Sequence, residues 1–288
     1  MCRLFGLHAG PEPVRATFWL LDAPDSLSVQ SRREPDGAGI GTFDAEGRAH
    51  VAKQPLAAWE DHAFAREARD LQSTTFLAHV RYASTGAHTM ANTHPFEQDG
   101  RLFAHNGAFG GLERLDRHLA ELGAADLVHG QTDSERLFAL ITAECRRAGG
   151  DVEKGITRAI TWVATELPVF SLNIVVTTAT DLWAVRYPAT HELHMLQRDP
   201  AAAPEPAPLE AQSSRINARS KELSRSRHVL IATEPMDRNP DWCALSPGEL
   251  VHVGPDLAVT TRFPFPDSPR HLLTLSDLEP SAAASQTS

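Results

Sequence analysis

Hydrophobic and polar positions fall into two rhythms along this chain. The first is a set of short apolar runs bounded by turn residues, the signature of strands. Leu4-Phe5-Gly6-Leu7 is one, closed by Gly10-Pro11. Residues 37–43 and 49–52 flank Asp44-Ala45-Glu46-Gly47 and read as a hairpin. Residues 74–82 and 101–105 are further β-rich runs, and 17–21 reads as a short helix or loop.

The second rhythm is helical. Trp59, Ala63, Phe64 and Ala68 share one face of a helix expected over 59–71. Thr132-Asp133-Ser134-Glu135 opens the clearest helix, a capping box with Thr132 as N-cap and Glu135 three residues on. Leu137, Phe138, Ile141 and Cys145 follow at helical spacing until Gly149-Gly150 ends it. A second helix spans 152–167 and stops at Pro168. Strands are then expected at 170–178, 182–187, 192–197, 228–233 and 249–253. Helices alternating with such strand runs predict an α+β layered fold. Residues 1–275 read as a single domain. Within it, 199–226 is rich in Ala, Pro, Ser and Arg without periodicity and is expected to be a mobile excursion between two strands. Residues 276–288 read as a polar C-terminal tail.

Composition narrows the class. Of 288 residues, 42% are hydrophobic and 22% charged, enough apolar material for a substantial core. The formal charge of −10 disfavours nucleic-acid and anionic-membrane surfaces as partners. No run approaches the roughly 18 apolar residues of a membrane span. Cys2, Cys145 and Cys243 form no C-x-x-C pair and no disulfide framework. The start lacks the pattern of a secretory leader, and a cytoplasmic protein is expected.

Cys2 is the sharpest chemical feature. If Met1 is removed, one residue carries both a thiol, of ordinary pKa about 8.5, and an α-amine of about 7.7–8. The amine then serves as base for its own thiol, a self-contained nucleophile–base pair. The plainer reading is a buried cysteine at the start of a strand. Arg81 stands near the mouth of a strand ending at Gly86, and its planar fork suits a substrate carboxylate; a surface salt bridge is its plainer role. Asn92-Thr93-His94-Pro95-Phe96 is a rigid turn with a polar shoulder. In His105-Asn106-Gly107, the Asn106 side-chain amide and the Gly107 backbone N–H together suit an oxyanion hole, while an Asn-Gly turn is the simpler alternative. Asp133, at a helix mouth, suits a substrate ammonium. A zinc reading of His191-Glu192-Leu193-His194 fails because H-x-x-H is one residue short of the H-E-x-x-H spacing, and an exposed hairpin is expected there.

Taken in order, these segments resemble the class II, N-terminal-nucleophile, glutamine amidotransferases. The resemblance runs through Met1-Cys2, Pro35-Asp36-Gly37-Ala38-Gly39, His79 to Gly86, Asn92 to Phe96, His105-Asn106-Gly107 and Thr132 to Glu135. Ala232-Thr233-Glu234-Pro235 and Pro247-Gly248-Glu249-Leu250 look like elements that close the fold in this family. The resemblance implies a four-layer αββα sandwich with the cysteine opening an inner strand. It implies Cys2 as nucleophile, Asn106 and Gly107 as oxyanion hole, Arg81 for the α-carboxylate of glutamine and Asp133 for its ammonium. His94 and Gly86 join the substrate-binding set, and neither a metal nor another cofactor is expected.

The chain departs from the family at Arg32-Arg33-Glu34, where many relatives have His-Arg-Gly, and at Ser84, where threonine is usual. It has no phosphate loop and no room for a synthetase after the glutaminase-like region, so an acceptor or synthase is expected on another polypeptide. Three functions follow: glutamine hydrolysis feeding ammonia to a partner, hydrolysis of another γ-glutamyl amide as in ergothioneine or glutathione pathways, or a non-catalytic scaffold. Whether copies of the chain associate into a homo-oligomer stays open at this level.

Overall fold

The structure is a computed structural model and describes residues 2–82, 86–200, 210–212, 217–219 and 223–287. Two antiparallel sheets lie face to face. The first is built from β1 (Arg3–His8), β2 (Gly37–Phe43), β3 (Ala49–Gln54), β4 (Thr75–Arg81), β9 (His194–Arg198), β12 (His228–Ala232) and β13 (Cys243–Ala244), in the order β13-β9-β12-β1-β4-β2-β3. The second runs β15-β14-β8-β7-β6-β5, from β5 (Phe96–Gln98), β6 (Arg101–Phe109), β7 (Pro168–Thr177), β8 (Leu182–Arg186), β14 (Glu249–Val253) and β15 (Val259–Arg262). A short β16 (His271–Leu272) pairs parallel with the start of β7. A small pair, β10 (Glu210–Gln212) and β11 (Asn217–Arg219), stands apart from both sheets. Of the mobile excursion expected at 199–226, residues 201–209, 213–216 and 220–222 lie outside the described residues.

Alternation along the strands creates three cores. Successive strand side chains point to opposite faces, so Leu4, Leu77, Leu102, Ala104, Val175 and Ile231 fill the space between the sheets. Phe5, Leu7, Phe76 and Ala78 face the other way, under α1 (Leu27–Gln30), α2 (His62–Asp70) and the turn at Phe18–Asp22. Phe103, Leu172 and Ile174 pack under α3 (Leu112–Glu121), α4 (Asp133–Arg147) and α5 (Val152–Glu166). The layers are therefore αββα, the expected fold.

Most helix ends follow local chemistry. Asp61 caps α2 by accepting from the Ala63 N–H at 2.8 Å, so this helix begins at His62 instead of Trp59. Thr132 caps α4 through the Glu135 N–H at 3.2 Å. The reciprocal half of the expected box is missing, because the Glu135 carboxylate accepts from the Gly130 N–H instead. β6 extends four residues beyond the expected strand, to Phe109, held by register with β7. The expected tail becomes a helix, α6 (Pro280–Thr287), with Ser285 and Gln286 buried. Gln286 meets His191 at 2.9 Å, so His191 is buried and the exposed hairpin expected there does not form.

Candidate active site

The polar residues singled out in the sequence converge at one end of the space between the sheets. Cys2 immediately precedes β1 and shares its parity with Leu4, whose side chain lies in the inter-sheet core. On β4, Arg81 and His79 share the face of Leu77. On β6, Asn106 shares the face of Leu102 and Ala104. Three strands thus carry their polar residues to one end of an otherwise apolar layer.

The Cys2 thiol is held by the backbone of Tyr82. The Tyr82 N–H donates to Sγ at 3.2 Å, and Sγ lies 3.3 Å from the Tyr82 carbonyl. Burial pushes the thiol pKa up to about 11; Glu34 adds to this, while the Tyr82 backbone and Arg81 act in the opposite direction. At neutral pH the sulfur is therefore a thiol that needs a base before it attacks. Asn106 Nδ2 donates to the Cys2 carbonyl at 2.9 Å. A side-chain amide has two N–H hydrogens, so one remains for a further acceptor. Gly107 runs so close to β7 that a Cβ there would stand 2.0 Å from the Ser171 carbonyl oxygen. Only glycine fits.

Arg81 is buried, and its guanidinium donates to the Gly86 and Ala87 carbonyls, each at 3.3 Å. Burial lowers its pKa, opposed by Cys2 when ionised and by the carboxylates of Asp36 and Asp133, which places all three within its electrostatic reach. Gly86 turns with φ of +77°, a conformation that favours glycine, and a Cβ there would press on the Asn92 amide at 2.9 Å. Asn92 ties the segment down, donating to the Ala87 carbonyl at 3.0 Å and accepting from the Gln131 N–H at 2.8 Å. Asp133 is buried at the first turn of α4. Its carboxylate accepts from the Ser134 N–H at 2.8 Å and the Phe109 N–H at 3.3 Å.

His94 sits deeper than a surface ligand. Its ring lies 4.2 Å from that of His79 and 4.6 Å from that of Phe96. Burial lowers both imidazole pKa values, that of His79 to about 3, so the pair is neutral. Among the described residues no group of three or more His, Cys, Asp or Glu is arranged to hold a metal.

Several contributors were not assigned from the sequence. Glu34, the departure from the family pattern, is fully buried and ion-paired at 3.3 Å to Arg3, next in sequence to Cys2. Arg3 also pairs with Glu234 at 2.7 Å, and Glu234 with Arg33 at 3.1 Å. The unusual Arg33-Glu34 dipeptide and the Ala232 to Pro235 segment were both visible as motifs; their meeting across Arg3 is a tertiary fact. The Tyr82 backbone contact and the bond between His105 and Ser134 carried no sequence signal beyond proximity to motifs.

Comparison with known proteins agrees with the fold and gives the family. The family model described as class II glutamine amidotransferases matches residues 1–268, and the chain belongs to that family. It is 30% identical over 235 residues to the uncharacterized protein MJ1515 of Methanocaldococcus jannaschii, covering 79% of this chain and 63% of that protein. It is 28% identical to Escherichia coli YafJ, provisionally described as a glutamine amidotransferase, over 86% of this chain and 96% of YafJ. A yeast relative, DUG3, described as a probable glutamine amidotransferase, is 30% identical over 54% of this chain and 48% of its own length. The chain thus spans between about half and two thirds of MJ1515 and DUG3. Among solved structures, a class II domain protein from Silicibacter pomeroyi superposes with a TM-score of 0.60 at 22% identity, covering 91% of this chain and 99% of that one. The Bacillus subtilis glutamine phosphoribosylpyrophosphate amidotransferase superposes at 0.63 and 18% identity, over 94% of this chain and 51% of that one. At such identities the two structures show the shared fold.

Proposed function

We propose that this protein hydrolyses the γ-amide of glutamine through a glutamyl thioester on Cys2, once Met1 has been removed, and that the ammonia passes to a separate acceptor. The observation that carries this reading is the convergence of the Cys2 thiol, the Asn106 amide and the Arg81 guanidinium at one end of the inter-sheet layer. Arg81 takes the α-carboxylate of the substrate and Asp133 its ammonium, with Gly86 shaping the turn beside Arg81. His94 supports the site through His79.

The steps balance as follows. The Cys2 α-amine takes the thiol proton, and the thiolate attacks the amide carbon. The carbonyl oxygen becomes an oxyanion that accepts from the spare Asn106 N–H and the Gly107 N–H. As the tetrahedral species collapses, the ammonium of Cys2 returns its proton to the leaving nitrogen; the C–N bond breaks and ammonia departs. Water, losing a proton to the same amine, then attacks the thioester. The second collapse breaks the C–S bond, releases glutamate and returns the proton to sulfur. An amine on the same residue is suited to this because it needs no second side chain brought into register. No step requires a bound cofactor.

A second reading keeps the chemistry and changes the leaving group to a bulkier amine. The match over 96% of YafJ and 99% of the Silicibacter chain favours it, since little of either relative lies outside the region shared with this chain. Assay of glutamine, glutathione and other γ-glutamyl amides with wild type and Cys2→Ala decides between the two. Glutamine-selective release of ammonia supports the first, and preference for a larger amide supports the second. Inertness towards every donor contradicts both.

A further inference from the structure

His105 and Ser134 join the two halves of the site. His105 precedes Asn106 on β6, and its ring faces the helical layer. Ser134 follows Asp133 in the first turn of α4. The His105 Nδ1 lies 2.9 Å from Ser134 Oγ, and its Nε2 lies 3.2 Å from the Ser171 carbonyl oxygen. All three residues are buried.

This geometry fixes where each proton sits. A carbonyl oxygen only accepts, so His105 Nε2 carries hydrogen and donates to Ser171. The neutral ring then has an unprotonated Nδ1, which needs a donor, and the Ser134 hydroxyl supplies it. Burial lowers the pKa of His105, opposed by Asp133 and by the Ser171 contact, so the ring is neutral at physiological pH. Ser134 has one hydroxyl proton. With that proton given to His105, the 3.3 Å approach of Oγ to Asp133 Oδ1 is not a second donation; the Ser134 backbone N–H holds that oxygen at 2.8 Å. The same ring and carbonyl also wall in Gly107, since a Cβ there would meet the Ser171 oxygen at 2.0 Å and His105 Nε2 at 2.7 Å.

We propose that Ser134 and His105 are positioning residues: a hydroxyl–imidazole latch holds Nδ1 of the Nε2–H ring against α4, ties β6 to the Ser171 carbonyl of β7, and thereby holds Asn106 and Gly107 where an oxyanion forms. This inference rests on the reading of Asn106 and Gly107 as oxyanion donors. It explains why a serine directly after the head-group carboxylate has its hydroxyl turned away from substrate. A latch of this kind acts on turnover, because it orders groups whose interaction strengthens in the transition state.

The test combines kinetics with histidine ¹⁵N spectra of the full chain at pH 7.5. The wild type should show His105 as the Nε2–H tautomer. Ser134→Ala should leave hydrogen on Nε2, shift the Nδ1 resonance as that nitrogen loses its donor, and lower kcat for the preferred γ-glutamyl amide about tenfold, with KM within twofold, and Ser134→Thr should restore most of the resonance and of kcat. A raised KM with unchanged kcat would mean that Ser134 acts through Asp133 and overturns the proposal. So would an Nδ1–H tautomer in the wild type, or an unchanged kcat in Ser134→Ala. Should the wild type turn over no γ-glutamyl amide while the Nδ1 resonance shifts as stated, the hydrogen-bonding arrangement is supported and it is the glutaminase reading that fails.

Discussion

Asn106 donates its side-chain N–H to the backbone carbonyl of Cys2 at 2.9 Å, across 104 residues of sequence and from one sheet to the other. The bond fixes the amide against Cys2 and leaves its second N–H for a further acceptor, the oxyanion in the proposed reaction. Asn106→Ala should therefore lower kcat about 10²–10³-fold with little change in KM, the loss typical of one oxyanion donor. Steady-state kinetics with glutamine check this, and a change confined to KM would reassign Asn106 to ground-state binding.

Arg81 is expected to act on binding. Replacing it by alanine removes the planar fork for the substrate carboxylate and should raise KM at least tenfold with a smaller effect on kcat. Arg81→Lys keeps the charge without the two-pronged geometry, and should recover only part of the affinity. Equal losses in kcat from both variants would contradict that role.

The buried ion pair beside the nucleophile predicts a stability effect. Glu34→Ala removes a fully buried carboxylate from the buried Arg3, which also pairs with Glu234. Breaking such a pair from one side costs about 3 kcal/mol or more, seen as a lower urea midpoint at unchanged slope. A midpoint within error of the wild type would show that Arg3 is fully compensated without Glu34.

Acid should destabilise the fold before most carboxylates titrate. Burial lowers the pKa of His8, His79, His94, His105, His191 and His228, to about 3 for His79 and about 4 for His228. As pH falls below the ordinary value of about 6.5, the unfolded chain takes up protons that the folded chain refuses. Stability therefore falls with decreasing pH, and the loss continues until the folded-state values are reached, at about 4 for His228 and about 3 for His79. Urea midpoints measured between pH 7.5 and 4.5 should decline, with the onset near 6.5. A flat profile over that window would show these imidazoles protonated in the folded state.

What the sequence disclosed was local, or lay in ordered motifs. Asp44 to Gly47 makes the hairpin between β2 and β3, and Thr132 caps α4, as nearest-neighbour chemistry requires. The layering followed from the family resemblance, since alternation alone does not say which faces meet. α3 escaped notice although Leu115 and Leu119 share its buried face. α6 was masked by small and polar residues, one of which, Gln286, meets His191, 95 positions away. Within the site, Cys2, Arg81, Asn106, Gly107 and Asp133 were legible as motif positions. Glu34 with Arg3, and Ser134 with His105, were not, because each pair is made by strands and helices meeting in space.

The central claim is that the sulfur and nitrogen of residue 2 perform the chemistry. The most direct measurement pairs intact mass with glutamate release, for wild type and Cys2→Ala under identical conditions. Active wild-type protein should lack Met1 and gain a glutamyl adduct on the Cys2 peptide when quenched during turnover, while Cys2→Ala should release no glutamate above background. Full activity in Cys2→Ala, or in protein that retains Met1, would contradict it.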